Sequence, residues 1–303
     1  MAARVDESKL RHPFERPIFI GSVLVNVALL VAALLLIGRG SDWLKQHPRL
    51  EKRADQLQAA ALAALAAPLG LTLLRNRRSA GVRANCLRIS PTQFPRVHAD
   101  FEEMCSALGM RTRPELYVSD REIDELSIAY SVWNADFVVL RTRYFAAKPD
   151  ELRDVYRFFL GRELGRLRLH HASWLNELLV AYVIRMPVLR NPLLHARTYS
   201  HDRYALALAP DSVRGLVVQA SGRCLLKRAD VDEYLRHSRT ALGWWPRLAG
   251  LMRTSPFIAH RIAALEKAGL LPRPTDGDAP VAIPPGVAVA PAAEVAPPVT
   301  RSG

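Results

Sequence analysis

The sequence predicts a mainly helical α+β fold tethered to a membrane by a two-helix hairpin. Three observations carry that expectation: two uncharged apolar runs near the N-terminus, short β-patterned segments between residues 116 and 141, and helical periodicity over most of the chain beyond them. The first run, Pro17 to Gly38, has Asn26 as its only strongly polar residue and is long enough for the roughly 20 residues a bilayer crossing needs. It exceeds the about 7–15 apolar residues of a signal-peptide core, and no small-x-small cleavage site follows Gly38. Leu57 to Leu74 is also uncharged, but it is rich in alanine and interrupted by Pro68 and Gly70. Its insertion is therefore marginal, and a buried helix of a soluble domain is its other reading.

Charge orients the hairpin. The chain carries a formal +13, a balance that would also suit a nucleic-acid binder, but much of the excess brackets the two apolar runs and no nucleic-acid partner is expected. Arg4, Lys9, Arg11 and Arg16 precede the first run and Arg75, Arg77, Arg78 and Arg83 follow the second, eight basic residues against the five of the connecting loop (Arg39, Lys45, Arg49, Lys52, Arg53). The positive-inside tendency then sets residues 1–16 and the main domain in the cytoplasm, with spans at 17–38 and 57–74 and a loop at 39–56, in an inner (cytoplasmic) membrane. Three widely spaced cysteines, Cys86, Cys105 and Cys224, form neither a disulfide framework nor a metal knuckle.

Residues 85–270 read as one domain. Pro95 to Gly109 is an amphipathic helix through Val97, Phe101, Met104, Cys105 and Leu108. Strands follow at Leu116–Val118, Ser127–Trp133 and Phe137–Arg141, the last two joined as a hairpin by Asn134-Ala135-Asp136. Pro149-Asp150-Glu151-Leu152 opens a helix whose apolar positions run through Val155, Phe159, Leu160 and Leu167. Trp174 to Leu189, containing Glu177 and Arg185 and closed by Pro187, is expected as a buried or membrane-surface helix. Helices around Thr198 and near 210–223, 228–241 and 255–268 complete the domain. Residues 271–303, rich in Pro, Ala and Val, read as a disordered tail.

The helix opened by Pro149 holds the chemistry. Gly161-Arg162-Glu163-Leu164-Gly165-Arg166 has the frame of H-E-x-x-H, in which two imidazoles four residues apart hold Zn²⁺ and the glutamate activates the metal-bound water. Arginine stands at both ligand positions. A guanidinium stays protonated at physiological pH and offers no lone pair, so Arg162 and Arg166 repel a cation. Isolated, such a pattern is an ordinary salt-bridged helix face; its surroundings give it meaning. Ala196-Arg197-Thr198-Tyr199-Ser200-His201-Asp202-Arg203-Tyr204-Ala205 resembles the second signature of the HtpX-like and CAAX prenyl protease family of membrane zinc metallopeptidases, gluzincins whose third ligand is a glutamate where Thr198 stands. Pro114 to Val118, Phe137 to Leu140, His170, Trp174, and Ser255-Pro256 with His260-Arg261-Ile262 resemble further parts of the pattern, in order, over about residues 85 to 270.

The resemblance implies a zincin-like domain that has lost all three ligand positions, with Glu163 the remnant of the catalytic glutamate and Asp202 at the aspartate that would orient a ligand histidine. Removing Zn²⁺ would leave Glu163 and Asp202 short of two positive charges. Arg162 and Arg166 supply that charge, so the expectation is that they face the former metal cavity and pair with Glu163, Asp202 or both. A metal site relocated onto His170, His171, His195 and His201 is disfavoured by those arginines, and an anion held by Arg162 and Arg166 is a further reading. In related peptidases an extended substrate adds to a strand beside the zinc helix. The matching stretch here is Ser127, Ile128, Ala129, Tyr130, Ser131, Val132 and Trp133. The functional expectation is a membrane-anchored pseudopeptidase that needs no cofactor and binds a protein partner; the alternative is an active zinc endopeptidase of the same family.

Overall fold

The computed structural model describes residues 7–38, 54–120, 127–132, 135–142 and 149–272. Residues 1–6, 39–53, 121–126, 133–134, 143–148 and 273–303 lie outside the described residues. Two long apolar helices come first, α1 (Glu15–Gly38) and α2 (Ala54–Asn85). They pack on each other, yet only 11% of each apolar stretch is buried. A soluble core helix would be buried nearly all round, so both have the length, composition and exposure of membrane helices. α2 departs from expectation: it runs unbroken through Pro68 and Gly70 and continues past Leu74 to Asn85. Proline removes one amide donor from the ladder; the Pro68 carbonyl remains in use, accepting from the Thr72 hydroxyl at 2.8 Å.

A small mixed sheet follows, built from β1 (Leu87–Arg88), β2 (Glu115–Ser119), β3 (Ser127–Val132) and β4 (Ala135–Arg141) in the order β1-β2-β4-β3. β2 and β4 are parallel and the outer pairings antiparallel. Phe137 to Leu140 is an unbroken apolar run, and all four side chains are buried, the mark of a strand covered on both faces. β3 pairs with β4 from Ser127 opposite Leu140 to Val132 opposite Ala135. Its outer backbone edge has no strand beside it among the described residues.

The helical layer consists of α3 (Pro95–Ala107), α4 (Arg153–Arg168), α5 (Trp174–Leu179), α6 (Pro187–Leu208), α7 (Arg214–Leu226), α8 (Val231–Thr240), α9 (Trp244–Leu251) and α10 (Ile258–Lys267). Trp174 to Leu189 is not the single helix its composition suggests. It breaks after α5, turns through a 3₁₀ segment at Val183–Arg185 and re-enters helix at Pro187. α3 is pinned to α4 through Asp100, a buried carboxylate that accepts from Arg153 Nε at 3.0 Å, Arg157 Nη1 at 3.0 Å and the Tyr156 hydroxyl. Burial pushes the Asp100 carboxyl upward, but the hydrogen bonds from Arg153 and Tyr156 and the nearby guanidinium charges outweigh it and hold it below the usual range.

α4 is the central strut. Phe158, Phe159, Leu160 and Leu164 are fully buried, and the helix packs against α6, α7, β3 and β4. Two glycines let α6 come close. A β-carbon on Gly165 would stand 2.5 Å from the Tyr204 β-carbon, and one on Gly161 would stand 2.9 Å from the Ala205 α-carbon. Gly161→Ala and Gly165→Ala should therefore each destabilise by about 1–3 kcal/mol through overpacking. Gly81→Ala, where an added β-carbon meets nothing within 4 Å, should gain up to about 1 kcal/mol from helix propensity. Thermal unfolding in detergent micelles reads both signs, and a neutral Gly165→Ala would contradict the close approach.

Candidate functional site

The residues singled out by the motif lie on α4 and α6. Helical spacing sets Arg162 and Arg166 on one face of α4, and Thr198 and Asp202 on one face of α6. These faces meet at Asp202, whose side chain is 0% exposed. Arg162 Nε lies 3.0 Å from Asp202 Oδ1. On the other side Arg261, from α10, grips the same carboxylate as a fork, Nε donating to Oδ2 at 2.6 Å and Nη2 to Oδ1 at 2.7 Å. Its remaining nitrogen, Nη1, donates to Gln219 Oε1 on α7 at 2.7 Å. One buried carboxylate thus ties three helices together, α4, α6 and α10.

Arg166 does not reach Asp202. Its Nη1 lies 3.7 Å from Oε2 of Glu163, one turn back on the same helix. Glu163 itself is buried. Thr198 bonds back to its own helix, its hydroxyl donating to the Leu194 carbonyl at 2.8 Å. These side chains do not fit zinc. Arg162 and Arg166 are permanently cationic and Thr198 offers a hydroxyl already used by the backbone.

The histidines divide. His195 Nε2 sits 2.8 Å from the Arg253 carbonyl, and His170 occupies a left-handed turn just beyond α4. His171 and His201 do come together, with His171 Nδ1 2.9 Å from His201 Nε2 and His171 Nε2 2.9 Å from Glu15 Oε1. A carboxylate only accepts, so Nε2 of neutral His171 donates to Glu15 and its Nδ1 accepts from His201. Arg11 Nε at 2.8 Å and the Ser200 hydroxyl complete the surroundings of Glu15. Burial, the charge of Arg197 and that of Arg11 bring His171 down to about 4 against the opposing pull of Glu15. Burial, with His171, Arg166, Arg162 and Arg197 adding to it, holds His201 well below the usual histidine value. Among the described residues no group of three or more His, Cys, Asp or Glu side chains is arranged to hold a metal ion.

This second cluster fastens the N-terminal segment across α4 and α6. Arg168 forks onto Glu7, with Nε at 2.9 Å from Oε2 and Nη2 at 2.9 Å from Oε1, and the Tyr204 hydroxyl adds a bond to Glu7 at 3.1 Å. Arg203 donates to the carbonyls of Lys9 and Arg11, and the His12 amide donates to Ser200 Oγ. Motif reading missed Glu15 and the role of Arg261. An acid at the mouth of an apolar run and an arginine in the R-I-x-x-L segment were the available signals. Of the expected binding edge, β3 lies next to α4 at the border of the sheet, while Trp133 lies outside the described residues. No protein-family model, curated protein or solved structure matches the chain.

Removing Arg261 leaves a buried carboxylate short of its bidentate partner, so Arg261→Ala should cost about 3–5 kcal/mol. Arg162→Ala leaves the fork intact and should cost clearly less; equal losses in chemical denaturation would put Arg162 on a par with Arg261. The histidine pair sets a pH dependence. A folded-state value near 4 against 6.5 in the unfolded chain means that the unfolded chain binds more protons as pH falls. Stability is full above about pH 6.5 and declines towards pH 4, by about 3 kcal/mol for His171 alone, with His201 acting in the same direction. His171→Gln should flatten the fall of Tm over that window, and an unchanged slope would exclude His171 as its source.

Proposed function

We propose that this protein is a membrane-anchored, catalytically inactive homologue of the HtpX-like and CAAX prenyl protease zinc metallopeptidases, and that it acts by binding a protein partner. The observation that carries this reading is Asp202 held between Arg162 and Arg261. In the zincin-like alignment, that carboxylate would orient a zinc ligand; here it is neutralised by side chains that cannot bind metal. The same two helices retain the frame of the peptidase motif, with Glu163 buried between the substituted positions. Hydrolysis is lost and the scaffold is kept.

Binding is assigned to β3. It is the border strand, it runs antiparallel to β4, and it lies beside α4, the relation in which an extended segment can add as a further strand. Such addition uses main-chain hydrogen bonds and needs no metal. The hairpin α1–α2 anchors this domain in the inner membrane. The contacts of Glu7, Lys9 and Arg11 with α4 and α6 keep the N-terminal segment and the domain on one side of the bilayer, and the excess of basic residues on that side supports a cytoplasmic location.

Metal analysis of the purified native protein should find no stoichiometric zinc, and EDTA should leave any trace proteolysis unchanged. About one zinc per chain with chelator-sensitive cleavage would end the proposal. The combined substitution Arg162→His, Arg166→His and Thr198→Glu should create zinc affinity in the folded chain. A folded triple variant that binds no zinc would remove the peptidase alignment.

A further inference from the structure

We propose that the domain itself dips into the bilayer: Trp174–Leu189 enters to about the midplane and leaves on the same side, and α9 lies beside it with its apolar face on lipid. The inference rests on the reading that α1 and α2 span the membrane, which makes them a depth gauge. From Glu15 to Asn26 is eleven residues, or about 16 Å at 1.5 Å per residue, roughly half of a hydrocarbon core of about 30 Å. At that level Asn26 is buried and committed to the domain, its Oδ1 accepting from the Tyr182 amide at 2.9 Å and its Nδ2 3.5 Å from the Leu178 carbonyl. The second helix agrees. The Tyr182 hydroxyl donates to the Ala64 carbonyl at 2.6 Å, and Ala64 lies midway along the apolar stretch Asp55–Leu74.

The return path has the same length. Ser200 on α6 is level with Glu15, to which its hydroxyl donates, and Pro187 lies thirteen residues earlier on that helix, about 20 Å deeper. α9 is fastened along this descending half of α6. Asn191 Nδ2 donates to the Leu251 carbonyl at 2.7 Å and His195 Nε2 sits 2.8 Å from that of Arg253, which sets the end of α9 about 8–14 Å below Ser200.

Depth explains what is exposed there. Val188 is 78% exposed, Met252 84%, and the stacked pair Trp244 and Trp245 67% and 63%. In water such a surface would be an unpaired apolar patch; continuous with two apolar helices it is a lipid-facing one, with tryptophans and Arg247 of the interfacial type. Irregular backbone at this depth requires internal partners. The break between α5 and α6 has them, in Asn26 and in the bonds from Ile184 and Met186 to Val180 and Val183. Glu177, Arg185, Arg190 and Arg253 are the opposing charges; Arg185 Nη1 is turned back onto the Ala181 carbonyl at 3.0 Å and the Arg253 guanidinium lies over the Phe257 ring at 4.9 Å.

The test is nitroxide accessibility in phosphatidylcholine–phosphatidylglycerol vesicles, using full-length chains bearing Leu24→Cys, Val188→Cys or Met252→Cys with Cys86 and Cys224 changed to serine. Cys105 stays: it is buried, and burial pushes its thiol up to about 12, which leaves it unreactive. All three positions are exposed, so the substitutions leave packing intact. The expected result is that all three labels collide with oxygen and are shielded at least tenfold from a water-soluble nickel complex. Leu24 in lipid with Val188 and Met252 open to nickel overturns the proposal and leaves the spanning hairpin standing. Labels at Val188 and Met252 shielded from both reagents overturn it in favour of a protein covering. Leu24 open to nickel removes the hairpin reading and this proposal with it.

Discussion

Asp202 and its two guanidinium partners set the terms for the rest of the domain. A carboxylate with no exposed surface costs several kcal/mol to desolvate, and that cost is tolerable only because Arg261 meets it with two aligned hydrogen bonds while Arg162 adds a second positive charge at 3.0 Å. The geometry depends on close helix approach, and the approach depends on glycine. Gly161 and Gly165 flank Arg162 on α4 and press against Ala205 and Tyr204, so the residues that exclude water from the pair are neighbours of the residues that form it. Packing and charge are therefore one constraint. Widening the α4–α6 contact would hydrate Asp202, and losing the pairing would leave the contact with a buried ion.

The same logic recurs where the domain meets the first apolar helix. Glu15 stands at the head of α1, buried, and is answered by Arg11, Ser200 and the His171–His201 pair. Glu7 is answered by Arg168 and Tyr204. These contacts convert part of a large cationic surplus into internal wiring. A net charge of +13 looks from composition like a field directed at an external polyanion, but Arg11, Arg162, Arg168 and Arg261 are each occupied by a carboxylate of this chain. Neutral histidines suit this setting. A protonated pair between Glu15 and the guanidinium groups of Arg162, Arg166 and Arg197 would add cations where cations are already crowded.

Local patterns made much of this legible. The apolar runs gave both membrane-type helices, the apolar run at Phe137–Leu140 gave the central strand, and the turn-like Asn134-Ala135-Asp136 pointed to the antiparallel pairing of β3 with β4. Arg162, Glu163 and Asp202 were singled out by the fixed spacing of the R-E-x-x-R and H-D-R segments, and the structure brings Arg162 and Asp202 together. The hidden features were long-range. Arg261 is 59 residues from its partner Asp202, and Glu15 is 156 from His171; nothing in either neighbourhood announces the other. The break near Tyr182 was hidden for a related reason. Trp174 to Leu189 has helical composition, and its turn is met from two other elements: Asn26 accepts from the Tyr182 amide, and the Ala64 carbonyl accepts from the Tyr182 hydroxyl. α2 failed in the opposite direction, since Pro68 looked like an interruption and cost the helix only one bond.

On the proposed reading, a metal ion exchanged for two fixed arginines would change what kind of device the fold can be. Zinc acts by lowering the pKa of a bound water and polarising a carbonyl, and both tasks need a vacant coordination position and a general base. A guanidinium has neither a vacant orbital nor a dissociable proton near neutral pH. It does reproduce the electrostatic function of the ion, which is to hold acidic side chains together inside a dry contact. The border strand is indifferent to that exchange. Its hydrogen-bonding groups belong to the backbone, and their direction is fixed by pairing with β4, which is in turn buried against the domain core. On that reading a chain under no demand for hydrolysis could lose every metal ligand and still present that edge, provided the buried carboxylates remained neutralised, as Asp202 is by Arg162 and Arg261.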